Sequence, residues 1–197
     1  MRIFLAGVSC VGKSTIGAKL AELLACPFFD LDIEVERFFN TPIECLRQSC
    51  LTAHEFSLAA AQALKHVLAR GDSRDCVIAL PPSGLVGGYW KVVGKAQDAS
   101  IVLLKDRPEN IVKRITFYDI DSQPIRRSLT DRETRLYLRE INRDIAYFGR
   151  SFQRAHVSVD IAGCRPDEAL RKVKGALTLW LSTEQNSLSK QPLASMH

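Results

Sequence analysis

The sequence predicts an α/β fold in which a five-stranded parallel sheet is covered by helices on both faces. Two observations carry that expectation. Apolar runs rich in β-branched residues alternate with helical patterns along the chain, the mark of a buried parallel sheet. In addition, Gly7-Val8-Ser9-Cys10-Val11-Gly12-Lys13-Ser14 fits G-x-x-x-x-G-K-[ST], between an apolar run and a helical pattern. A loop in that context turns successive backbone N–H groups, and the positive end of a helix, toward one anion.

The elements follow in order. Arg2 to Ala6 reads as a buried strand, and Ser14 to Ala25 as the next helix, with Ile16, Leu20, Leu23 and Leu24 on one side. Pro27-Phe28-Phe29 forms a short second strand ending in Asp30-Leu31-Asp32, and a helical stretch runs from Ile33 to about Phe39. Thr52 and Glu55 have capping-box spacing for a long helix to Arg70, stopped by Gly71. Cys76 to Leu80 is the third strand, ended by Pro81-Pro82. Ile101 to Leu104 is the fourth, and Pro108 and Glu109 open the helix after it. Thr130 and Glu133 cap another helix, ending at Gly149. Val157 to Ile161 is the fifth strand and Pro166 to Leu181 the closing helix. Residues 1–182 then make one domain, and 183–197 a flexible polar tail rich in Ser, Gln and Asn.

Composition narrows the partners. With 197 residues, 46% of them hydrophobic, the chain can bury a sizeable single core. Its net charge of +5 is concentrated in residues 105–154, which carry twelve Lys or Arg against eight Asp or Glu. Such a segment is either a solvated face or serves small anionic ligands. No aromatic–basic interleaving supports a nucleic-acid partner. The six cysteines form no C-x-x-C pair and read as reduced side chains of a cytoplasmic protein. No leader is visible, and no apolar run reaches the ~18 residues of a membrane span, so no membrane partner is expected. The four histidines have no partner at metal spacing and receive no role. The oligomeric state is not fixed by the sequence.

The chemistry gathers at the carboxyl ends of the strands, where open parallel sheets bind ligands. Lys13 is placed to reach the outer phosphates of a nucleoside triphosphate, and the Ser14 hydroxyl to ligate Mg²⁺. Asp30 and Asp32 lie 17 and 19 residues after Lys13. Strand alternation would turn both to one side, one supporting Mg²⁺ and the other accepting a proton from a substrate hydroxyl. Otherwise either one caps the following helix. Residues 119–130, polar and containing Pro124, Arg126 and Arg127, suit a lid that brings an arginine onto the transferred phosphoryl group. The alternative is a solvated loop. Arg132, Arg135, Arg139 and Arg143 form a stripe opposite Leu138, Ile141, Ile145 and Phe148. That stripe is a solvated face or, with Arg150 beyond it, faces an anionic substrate.

Over nearly its whole length the chain resembles the shikimate kinase family of small-molecule kinases. The resemblance rests on Gly7 to Thr15 with the following Ile16-Gly17-Ala18-Lys19-Leu20-Ala21. It also rests on Phe29-Asp30-Leu31-Asp32 with Ile33-Glu34-Val35-Glu36, on the strand order and on the lid position. It implies a three-layer P-loop NTPase fold with a lid and an ATP- and Mg²⁺-dependent phosphotransferase acting on a small, anionic metabolite. By that resemblance Gly7 to Thr15 bind ATP, Arg114 lies near the adenine, Ser14 and Asp30 support Mg²⁺, and Asp32 meets the acceptor hydroxyl as base. Lys13 and Arg126 or Arg127 would act on the phosphates. Departures fall on the acceptor side. In the family's G-E-x-x-F-R-x-x-E, Phe56 is kept, but Ser57 replaces the Arg that grips the shikimate carboxylate and Ala60 replaces the last Glu. The family's Gly-Gly-Gly reads Pro81-Pro82-Ser83-Gly84, and its lid Arg-Pro reads Gln123-Pro124. Prolines have no N–H to offer a substrate. Ser57, Ser83, Arg143 and Arg150 remain as acceptor contacts. The competing reading is a nucleotide-binding module that has lost transfer and works through a partner or metabolite.

Overall fold

The structure, a computed structural model, describes residues 1–188. In chain order its main elements are β1 (Arg2–Ala6), α1 (Lys13–Leu23), β2 (Phe28–Asp30), α2 (Leu31–Phe39), α3 (Ile43–Ser49), α4 (Ala53–Ala69), β3 (Cys76–Ala79) and α5 (Gly87–Val93). There follow β4 (Ala99–Lys105), α6 (Pro108–Ile111), β5 (Phe117–Tyr118), β6 (Pro124–Ile125), α7 (Asp131–Phe152), β7 (Val157–Asp160) and α8 (Pro166–Leu188). The five long-range strands are all parallel, in the order β2-β3-β1-β4-β7. β1 therefore lies at the centre, and every carboxyl end opens on one rim. Its Ile3, Phe4, Leu5 and Ala6 are at most 1% exposed, as a strand covered on both faces must be. Two apolar clusters fill the two sides of the sheet. One takes Ile16 and Leu20 of α1, Ile141 of α7 and Val173 and Leu177 of α8. The other takes Val35 of α2, Leu64 and Val67 of α4 and Tyr89 of α5.

The helix starts are built as the sequence implies. Thr130 and Glu133 form the full reciprocal box, the Thr130 hydroxyl accepting from the Glu133 N–H and the Glu133 carboxylate from the Thr130 N–H. At α4 the Thr52 hydroxyl accepts from the Glu55 N–H at 3.1 Å, but Glu55 reaches one residue further back, to the Leu51 N–H at 2.8 Å.

Several expectations are corrected. β2 stops at Asp30, so Asp32 belongs to the first turn of α2 rather than to the end of a strand. The cause is local: the Asp30 carboxylate accepts the Asp32 N–H at 3.2 Å and starts the helix. Helices α3 and α5, seven residues each, were not expected, since two turns are too short to display a helical period. The helix after β4 is a single turn that passes into a 3₁₀ turn at Val112–Arg114. α7 runs through Gly149, where added side-chain atoms would meet open space, and packs Phe152 onto the core. α8 continues to Leu188 instead of ending at Leu181. Residues 189–197, the remainder of the expected tail, lie outside the described residues.

Candidate active site

The loop after β1 has the backbone of an anion cradle. Gly7 holds φ 142°, and a Cβ there would stand 2.7 Å from the Leu104 carbonyl oxygen, so no side chain fits. Cys10 is left-handed at φ 57°. Gly12 caps α1 without a side chain to satisfy the first-turn N–H groups. Those N–H groups face the loop, the arrangement that favours a phosphate. Lys13 is buried, and its ammonium folds over the loop to donate to the carbonyls of Gly7 at 3.0 Å and Val8 at 2.8 Å. Burial pushes its pKa down to about 8, with the negative charges of Asp32 and Asp30 opposing the fall. Ser14 and Thr15 are exposed at the same helix start.

Asp32 lies within electrostatic reach of Lys13 although it is not on the strand. Its side chain is solvent-exposed, although the protein around it removes part of its hydration. That desolvation, followed by the charge of Asp30, pushes its carboxyl up to about 6, with Lys13 and Arg47 pulling the other way. α2 is fixed from behind by Glu34, only 6% exposed. Its carboxylate takes Arg37 at 2.6 Å and Arg70 at 3.5 Å, while Arg70 lies 4.8 Å over the Phe29 ring.

The stretch expected to serve as a lid contains a two-stranded antiparallel hairpin, β5–β6, rather than a plain loop. Asp119 closes its turn by accepting the N–H groups of Asp121 at 3.0 Å and Gln123 at 2.8 Å. At the tip the Ser122 hydroxyl donates to the Glu36 carboxylate of α2, the same oxygen that accepts the Ile43 N–H at 2.8 Å. The hairpin thus bridges the cleft to the start of α3. Arg127 is committed: it pairs with Glu133 and lies 4.9 Å over the Phe117 ring. Arg126 is exposed and carries no hydrogen bond or ion pair among the described residues. Arg114 pairs with Asp106 at the end of β4. Burial raises the Asp106 carboxyl, but hydrogen bonds from Asn110, Arg114 and the Arg107 N–H win and hold it low.

On the acceptor side the expected contacts scatter. Ser57 is taken up structurally: its hydroxyl accepts the Gly88 N–H at 3.2 Å, and a Cβ on Gly88 would come within 2.5 Å of the Ser57 carbonyl oxygen. The residue that stands where the family has its arginine therefore seats α5 on α4. Ser83 lies in the turn after β3, where its carbonyl accepts the Val86 N–H at 2.9 Å. Arg143 is exposed and pairs with Glu140 on its own helix, both contacts at 3.0 Å. Arg132, Arg135 and Arg139 are exposed with it, the solvated-face alternative. Arg150 lines a shallow groove with Val86 and Tyr147. An apolar cavity of about 450 Å³ between Val8, Leu104, Ile145 and Phe152 borders the cleft but contains neither Lys13 nor Asp32. Two residues near Asp32 escaped the sequence reading, Arg47 on α3 and Tyr89 on α5. Each sits on a helix too short to be seen, and the only available sign was the Thr41-Pro42-Ile43-Glu44 helix start ahead of Arg47.

A parallel sheet with a Lys-bearing phosphate loop at its rim, a carboxylate near the loop and an arginine-bearing hairpin defines the P-loop NTPase fold. The family model for shikimate kinase matches residues 9–173, and the chain belongs to the shikimate kinase family. It is similar to the shikimate kinase of Moorella thermoacetica, 29% identical over 92% of this chain and 96% of that one. It spans only about a fifth of the length of the first curated relatives it matches, at 51% identity. Among solved structures, shikimate kinase from Bacteroides thetaiotaomicron superposes with a TM-score of 0.72 at 20% identity, covering 90% of this chain and 98% of that one. Shikimate kinase from Acinetobacter baumannii in complex with shikimate gives 0.67 at 22% identity, covering 92% and 93%.

Proposed function

We propose that the chain is an ATP- and Mg²⁺-dependent kinase that phosphorylates a hydroxyl of a small anionic metabolite. One observation carries this reading: the Asp32 carboxyl, poised at about 6, lies within electrostatic reach of the Lys13 ammonium on the phosphate loop. A base tuned near the working pH beside a phosphate cradle is what hydroxyl phosphorylation needs. The residues present fit nucleotide and metal. The uncapped first turn of α1 and the glycine approach at position 7 suit phosphate. Ser14 is exposed beside them, and Asp30 uses one carboxylate oxygen as a cap, leaving the other without a partner among the described residues. Bound there, Mg²⁺·ATP supplies the γ-phosphoryl group and screens its charge. Gly7, Val8, Ser9, Cys10, Val11, Gly12 and Thr15 line its phosphates, and Arg114, steadied by Asp106, borders the adenine. Asp32 takes the proton of the acceptor hydroxyl.

Of the two lid arginines, Arg126 is the clamp, because Arg127 is already held by Glu133 and Phe117. Arg126→Ala should lower kcat by about 10²–10³-fold, the effect of removing one preorganised donor, and Arg127→Ala by much less. Single-turnover transfer rates compare the two, and the reverse ranking would move the clamp to Arg127.

Shikimate itself should be a poor acceptor. Ser57 is engaged with Gly88 and cannot replace a bidentate arginine, and Pro81 and Pro82 offer no N–H. Steady-state kinetics should give kcat/KM below about 10⁴ M⁻¹s⁻¹, the floor of the usual enzyme range. A higher value would mean that the pocket compensates. The kinase reading is tested by ATP consumption against a panel of hydroxy-carboxylates and neutral polyols. Bound nucleotide without transfer to any acceptor would favour a binding module instead. No helix among the described residues is long and apolar enough to cross a membrane. With its six free cysteines, that supports a cytoplasmic place of work.

A further inference from the structure

The outer face of α7 is a row of arginines. At about 100° per residue, Arg132, Arg135, Arg139, Arg143 and Arg150 fall within about 60° of one line along the helix. Tyr147 stands on the flank of that line, and no acidic residue of α7 shares the band. The opposite side carries Ile141 into the core, so the arginine side faces water, and all five are exposed. Arg143 is tied to Glu140 at the edge of the row. The other four carry no hydrogen bond or ion pair among the described residues.

Hydration alone does not account for this face. Like charges stacked one turn apart repel, and here little on the face relieves them. Lysine would solvate a helix as well, and α8 mixes Arg171 with Lys172 and Lys174, yet α7 has five arginines and no lysine. The planar guanidinium fork is suited to phosphate. From Arg132 to Arg150 the row is about 27 Å long, beyond the span of a small metabolite. It is also one residue wide, which matches a chain of anions better than a plane such as a membrane surface. At its far end Tyr147, 76% exposed, is propped by the Phe148 ring at 4.9 Å. With Arg150 and Arg154 it lines a groove of about 440 Å³, where Arg154 lies 4.5 Å over the Trp90 ring. An exposed ring beside guanidinium groups is a platform for a flat π system.

We propose that this face of α7 binds single-stranded nucleic acid, the arginine row taking successive backbone phosphates while Tyr147, beside Arg150, stacks a base. Neighbouring arginines four residues apart advance about 6 Å along the helix, so each can meet a different phosphate of an extended strand. None of these contacts reads the edge of a base, and binding is therefore sequence-tolerant. The function is separate from the phosphate loop. The linear sequence hides it, because Tyr147 joins the arginines only through the phase of the helix.

Fluorescence anisotropy of the full chain with a labelled oligothymidylate of about 20 nucleotides tests the assignment. Wild type should bind with a Kd of about 10⁻⁶–10⁻⁴ M at physiological salt. Five phosphate contacts should give log K against log salt a slope of about −3.5, at about 0.7 per contact on a single strand. Arg132→Gln, Arg135→Gln and Arg139→Gln combined should bring the slope to about −1.4. A thermal melt should show that variant folded, since all three side chains are exposed. Tyr147→Ala should weaken binding roughly tenfold with the slope unchanged. Lys13→Ala should bind the strand as wild type does, and loss of binding there would put the strand in the nucleotide cleft and overturn the proposal. No binding by wild type, a slope the triple variant leaves in place, or a harmless Tyr147→Ala would each overturn it too. Equally tight binding of poly-glutamate would replace nucleic acid with an acidic protein surface, and of phosphatidylglycerol vesicles with a membrane.

Discussion

Lys13→Ala is expected to abolish phosphoryl transfer, with kcat falling at least about 10³-fold, and to weaken ATP binding together with it. Removing a preorganised donor to developing charge costs about 10²–10³-fold on its own. Lys13 is also the one cation fixed inside the loop, through its contacts to Gly7 and Val8. The fold should persist, because the side chain points over the loop and contributes no apolar packing to either cluster. Circular dichroism and a thermal melt separate loss of chemistry from loss of structure. A folded Lys13→Ala protein with normal turnover removes the whole phosphate-loop account.

Asp32→Asn should lower turnover on the acceptor by about 10²–10⁴-fold while ATP affinity stays within a few-fold. The amide keeps shape and reach but cannot take the proton. The pH profile of kcat/KM adds an independent readout. Asp32 must be ionised to act, so the rate should fall as pH drops below about 6. Lys13 must be protonated to hold phosphate, so it should fall again as pH rises above about 8. Both groups belong to the free enzyme, which is what kcat/KM reports. The residual activity of Asp32→Asn should have lost the acid limb and kept the basic one. If turnover is unchanged, Asp32 only begins a helix and the base lies elsewhere.

The backbone of the phosphate loop was legible because its signal is local. A glycine loop, a lysine and a helix start lie within eight residues, and their backbone conformation follows from residue type. The five strands were legible for a similar reason, since residues buried on both faces leave continuous apolar runs. Strand alternation misplaced Asp32 because the Asp30 cap turned the chain two residues earlier than the pattern suggested. Its nearness to Lys13 was nevertheless foreseen, because helix and strand both leave it near the loop. The acceptor wall was not legible. Ser57 meets Gly88, 31 residues away, and Arg47 meets Phe56 across two helices. Contacts of that kind depend on packing, which no motif encodes.

The Ser122 hydroxyl at the tip of the hairpin donates to Glu36 of α2, and on the lid reading that contact would form only while the hairpin is down. Glu36 holds the first turn of α3 with the same oxygen, so hairpin and helix share a fastening. By linkage, anything that draws the hairpin onto the phosphates also steadies α3, and anything that settles α3 favours the closed hairpin by the same factor. Nucleotide and acceptor, though they touch opposite walls, would then help each other bind. Water arriving alone in place of the acceptor gains no such help, which disfavours wasteful breakdown of the nucleotide.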